Sequence, residues 1–132
     1  MSPEYCRLVI ESTTNEFVVF EMVQNFVSNI FRQWVLLEAP LVRQCFEYFF
    51  SGAVRHFRGS KLLRTEMLRA CAKLLKRSIF DSKACDATTL DQTVHFLIAN
   101  EDPDLVSVIF LNLLKLLDHL DLGIFASGFR YA

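Results

Sequence analysis

Residues 16–50 read EFVVFEMVQNFVSNIFRQWVLLEAPLVRQCFEYFF. In the first half of this stretch Glu21, Gln24, Asn25, Ser28 and Arg32 recur every three or four positions, leaving Val19, Val23, Phe26, Val27, Ile30 and Trp34 on the opposite side. That spacing predicts one amphipathic helix over 16–34. Pro40 then fits the first turn of a second helix, where a missing N–H costs nothing. Gln44, Glu47, Ser51, Arg55 and Arg58 mark the wet side of this helix, with Leu41, Cys45, Phe46, Phe49, Ala53 and Phe57 opposite. Trp34, the only tryptophan, falls at the corner between the two helices, where a large side chain can plug the junction.

The pattern continues in both directions. Gly59 and Ser60 supply a helix stop and an N-cap in succession, so a third helix is expected from Lys61 to about Arg77, with Leu63, Met67, Ala70, Leu74 and Leu75 as its core side. DSKACDA (81–87) reads as a polar loop, and TTLD (88–91) resembles a capping arrangement that opens a shorter helix ending near Ile98. NEDPD (100–104) is the cleanest local signal. Asp102 can cap, Pro103 takes the first helical position and Asp104 complements the dipole of a helix reaching about His119. Residues 3–12 form a short first helix, and the tail DLGIFASGFRYA reads as a loop.

Composition agrees with an all-α chain. The 132 residues are enough for one core. They are 52% apolar with 13 phenylalanines but only 4 glycines and 3 prolines, too little turn chemistry for a barrel or sandwich of many short strands. The longest apolar run, LVSVIFLNLLKLL (105–117), is broken by Asn112 and Lys115 and falls short of the roughly 20 residues a membrane span needs. Membrane insertion is therefore not expected. The N-terminal residues lack the basic start and apolar stretch of a secretory signal, which points to an intracellular address. Cys6, Cys45 and Cys71 lie in helical patterns and are expected to be buried free thiols, while Cys85 falls in the polar loop with no cation beside it to activate it.

Taken in pairs, helices two with three and four with five give units of about 40 residues, the size of two-helix solenoid repeats that cover one another's apolar faces. No sequence signal proposes an enzyme. The glycines are isolated, so no phosphate loop is present, and His56, His95 and His119 lie on three different helices without ligand-like spacing. No cofactor is implied.

One charge feature stands out. Between Arg55 and Arg77 eight cations face a single acid, Glu66, and on the third helix Lys61, Arg69, Lys73, Lys76 and Arg77 share about half of the helical wheel. Such a face fits either an acidic partner, protein or nucleic acid, or an ordinary solvated surface balanced elsewhere, because the whole chain carries a net charge of −1. The absence of interleaved aromatic residues and of a nucleic-acid motif weighs against nucleic acid.

The segments SPEYCRLVIESTTNEFVVFEMVQNFVSNIFRQWVLLE, LLRTEMLRACAKLLKRSIFD and NEDPDLVSVIFLNLLKLL, in this order, resemble the N-terminal region of exportins of the importin-β superfamily. Arg32 and Trp34 with Leu36, Leu37 and Glu38, and then Lys76, Arg77 and Asp81, carry the likeness together. Gln33 departs from it, standing where the family has an acid, and the loop around Cys85 diverges.

The resemblance implies an all-α HEAT-repeat solenoid, with residues 1–132 as a single N-terminal segment of about three repeats, incomplete at both ends, against about twenty in a whole receptor. It also implies the partners: Ran-GTP, protein cargo and phenylalanine-glycine nucleoporins, met while shuttling between nucleus and cytoplasm. Family likeness would place the Ran surface near Arg43 to Arg58 and Asp91 to Ile98 without fixing individual contacts.

Overall fold

A computed structural model describes residues 3–56, 58–81, 87–100 and 102–120. They form six α-helices: α1 (Pro3–Ser12), α2 (Glu16–Arg32), α3 (Ala39–Arg55), α4 (Lys61–Asp81), α5 (Ala87–Asn100) and α6 (Pro103–Leu120). No strand occurs among the described residues.

Local chemistry explains the boundaries. Asn15 caps α2, its Oδ1 accepting from the amides of Phe17 at 3.0 Å and Val18 at 3.3 Å. Gln33 ends that helix, and Trp34–Leu36 form a single 3₁₀ turn, so the expected helix over 16–34 stops two residues early. Glu38 is the N-cap residue of α3, and Pro40 sits in its first turn as expected. The Ser60 hydroxyl accepts from the Leu63 amide at 3.2 Å and opens α4, which runs four residues beyond the expected end. Asp102 opens α6 by accepting from the Asp104 amide at 3.0 Å through its carboxylate and from Val106 through its carbonyl. Thr88 lies inside α5, one residue past its start at Ala87, and is not the cap the TTLD pattern suggested.

The helices stack in two rows, with α2, α4 and α6 in one and α3 and α5 in the other, where α1 joins them through Arg7 over the Tyr48 ring. Within the first row the helices run parallel. Ser60, at the start of α4, donates to Glu16, at the start of α2, over 2.6 Å. Arg77 near the far end of α4 covers Trp34 just beyond the end of α2, and Arg58 before α4 approaches Asp102 before α6 at 3.8 Å. The principal partners across the rows are α1 with α2, α3 with α4 and α5 with α6.

This pairing corrects the expected one of helices two with three and four with five. Links of three, five and two residues join the helices within the pairs, and the six-residue link at 33–38 carries the chain from the first pair to the next. Stacked helical hairpins in two rows are consistent with a segment of a helical-repeat protein.

Helix α4 is central, packing on α2, α3 and α6 at once. Leu63, Met67, Ala70, Leu74 and Leu75 are buried as expected, together with Leu68, Cys71 and Ala72. Phe46, Phe49 and Phe50 of α3 fill the space beside it, and Ile109 and Leu113 of α6 close the other side. Gly52 allows this approach, because a Cβ there would overlap Met67 Sδ. The core face of α3 also turns relative to expectation: Leu41 is 44% exposed, while Val42, Phe50 and Val54 are buried. A helix covered by α4 on one flank and by the neighbouring pairs on others buries more than one stripe.

Candidate functional site

The cations of the expected basic face do not share one surface. Lys61 and Arg77 are exposed and Arg69 and Lys73 half-buried, but Lys76 is only 5% exposed. Arg69 donates to the buried carboxylate of Glu66 at 2.9 Å, and Arg77 lies on the Trp34 ring. The reason is the position of α4. A helix packed on three sides draws much of a wheel-wide charged arc into contact with its neighbours. Lys61 and Arg64 instead meet Lys115 of α6 around a small cleft of about 200 Å³, also lined by Thr65, Leu68, Asn112 and Leu116.

A larger groove of about 510 Å³ opens on the other row. Helix α3 supplies Gln44, Glu47, Tyr48, Ser51 and Arg55, α5 supplies Gln92, Thr93, Phe96 and Leu97, and α1 contributes Arg7. The α3 residues follow from sequence spacing: Gln44, Tyr48, Ser51 and Arg55 fall four, three and four apart, one polar stripe on a helix whose other sides are core. On α5 the same periodicity brings Gln92 and Phe96 to the groove. Phe96 is 67% exposed, while Leu97 at 5% forms part of the floor.

Tyr48 is the electrostatic centre of this groove. The Arg7 guanidinium lies over its ring, 4.9 Å from the centroid, while Phe26 stacks on it at 6.0 Å and Phe49 meets it edge to face at 5.8 Å. Burial pushes the phenol above its ordinary pKa and Glu11 adds to the rise, whereas Arg55 and Arg7 oppose it. Its hydroxyl oxygen is buried and, among the described residues, has no hydrogen-bond partner. Arg7 is tied to Glu11 at 3.2 Å, but Arg55 and Glu47 make no ion pair among the described residues.

The wet side of α3 was legible in the sequence. Tyr48, Arg7 and Phe96 were missed. A tyrosine inside the run FEYFF looks like core, and Arg7 reaches the groove only because α1 and α3 share a row.

Among the described residues, the candidate thiols and histidines do not line this groove. Cys6, Cys45 and Cys71 are buried free thiols, and burial pushes Cys45 up to about 11. Asn29, buried on α2, donates to Cys6 Sγ at 3.9 Å. The His95 ring contacts the Asp91 carbonyl at 2.8 Å, and His56 caps α3. Cys85, the His119 side chain and the tail lie outside the described residues. Among the described residues no group of His, Cys, Asp or Glu could hold a metal, and no helix is long and apolar enough to cross a membrane. No known protein family and no solved structure matches the chain.

Proposed function

We propose that this chain is a segment of an exportin-like nuclear transport receptor, a binding module contributing to Ran-GTP-dependent export of protein cargo. The observation that supports the reading is the placement of α3 and α5 side by side in one row, lining a common groove. These are the two stretches on which the exportin resemblance puts the Ran surface. Three stacked helical pairs also suit a receptor in which Ran-GTP and cargo each favour the same curvature of a long array and so raise each other's affinity. Weak contacts with phenylalanine-glycine nucleoporins and residence in both nucleus and cytoplasm belong to the same reading.

The test is recovery of Ran, loaded with GTP or with GDP, on this chain and on a version extended by further repeats. Preferential recovery of the GTP form by the extended protein is the expected result. Equal recovery of both nucleotide states removes Ran-dependent transport from consideration.

A second reading, a helical scaffold that grips nucleic acid or an acidic protein through residues 55–77, rests on the cleft shared by Lys61, Arg64 and Lys115. It is the weaker of the two, since Lys76 is buried and Arg69 and Arg77 are engaged within the fold. Oligonucleotide affinity that falls steeply with salt and weakens on Lys61→Glu with Lys115→Glu would favour it.

A further inference from the structure

We propose that the groove between α3 and α5 binds an acidic peptide segment, with a carboxylate of the ligand held between Arg7 and Arg55 beside Tyr48 and an adjacent apolar residue against Phe96. The groove is the one that the transport reading gives to Ran, and the proposal names the chemistry it recognises; the peptide experiment below is read without Ran, so that either can fail alone.

The first support is volume and shape. About 510 Å³ open along two neighbouring helices suits several residues of a peptide and exceeds what a single ion requires. The second is charge. Arg55 carries a guanidinium with no acid bound to it among the described residues, at the end of a polar stripe where Ser51 and Gln92 can pair with a peptide backbone; Glu47, about two turns away on the same helix, confines a ligand carboxylate to the arginines. Arg7 is 60% exposed and held by one exposed pair with Glu11 and by its place over the Tyr48 ring, and an exposed pair of this kind is weak enough to be exchanged for a ligand carboxylate.

The third support is the Tyr48 hydroxyl, a buried donor without an acceptor among the described residues. Buried polar groups are nearly always satisfied, and Tyr48, whose ring lines the groove, brings an unspent donor close to what enters it. Arg7 lies over this ring, so a ligand carboxylate that pairs with Arg7 is brought beside the phenol. Phe96 adds an exposed aromatic surface across the groove, which selects an apolar residue next to the acid.

The experiment uses the whole chain and a fluorescein-labelled dodecapeptide of alternating aspartate and leucine, the same peptide with asparagine for every aspartate, and a labelled single-stranded oligonucleotide, with binding read by anisotropy. The aspartate peptide binds and the asparagine peptide binds at least about tenfold more weakly, the difference one or two charge-assisted hydrogen bonds make. Arg55→Gln weakens the aspartate peptide about tenfold and Tyr48→Phe severalfold, while Lys115→Gln, in the cleft of the other row, leaves it unchanged. Tyr48→Phe also raises the unfolding midpoint of the free protein, because it removes the orphan hydroxyl, and this separates lost recognition from lost folding. Equal binding of the two peptides, tighter binding of the oligonucleotide, or equal losses with Lys115→Gln and Arg55→Gln would each overturn the assignment.

Discussion

The Arg77 guanidinium lies over the indole of Trp34, 5.5 Å from the ring centroid, and joins the far part of α4 to the corner between α2 and α3. The two residues contribute unequally. Trp34 is 3% exposed and also packs against Phe31 at 5.7 Å, whereas Arg77 is exposed. Truncating a buried tryptophan costs about 3–5 kcal/mol, while a cation over a ring at an exposed site contributes about 0.5–1 kcal/mol. Urea unfolding should therefore show Trp34→Ala close to the limit of what the fold tolerates and Arg77→Ala barely shifted. Equal losses would mean that the stacked cation, not the buried ring, holds the corner.

Ser60 makes two bonds that one substitution removes, the cap to the Leu63 amide and the donation to Glu16. Loss of a serine cap costs about 1 kcal/mol, and the exposed bond to Glu16 adds little. Ser60→Ala is expected to lower stability by about 1 kcal/mol, and Ser60→Asp to restore the cap while setting a second carboxylate against Glu16. A double-mutant cycle with Glu16→Gln measures the link between α2 and α4; no coupling would show that the two helix starts are held together by packing alone.

Periodicity made the helices readable, because each has a core stripe repeating at 3.6 residues and an opening marked by Ser, Asp or Pro. The pairing of helices was not readable in the same way. Repeat length is the same whether α2 joins α1 or α3, and only the packing of α1 on α2, α3 on α4 and α5 on α6 decides it. Lys76 and Leu41 failed for a related reason: a helical wheel assumes one buried side, and α4 and α3 are covered on several. At the groove the sequence supplied Gln44, Glu47, Ser51 and Arg55 as a wet stripe, but Arg7 and Phe96 come from helices far apart in the chain.

The His56 imidazole, at the C-cap of α3, is held below its ordinary pKa of 6.5, first by burial and then by the neighbouring Arg55 charge. The unfolded chain therefore binds this proton more readily than the native state. Its contribution to stability is present in full above about pH 6.5 and is lost as the pH falls through the depressed native value. Urea midpoints should show wild type losing stability relative to His56→Gln as the pH falls below about 6.5, the ordinary histidine value. A difference between the two proteins that does not change with pH would mean that His56 titrates in the fold as it does in the unfolded chain.

Helix α6 carries a last testable feature, the apolar flank formed by Val108, Leu111 and Leu114, which are 44%, 56% and 38% exposed. In an array of helical pairs the end faces are those that a neighbour would cover, and contiguous apolar surface of this kind favours association. The isolated chain is expected to self-associate in sedimentation at tens of micromolar, roughly the range of weak apolar contacts, and to bind a hydrophobic dye. Val108→Lys with Leu111→Lys should abolish both signals while moving the unfolding midpoint by no more than about 0.5 kcal/mol per site, since neither side chain belongs to the core. Association that persists in this variant would transfer the sticky face to the other end, where Leu8 and Phe17 are 63% and 73% exposed.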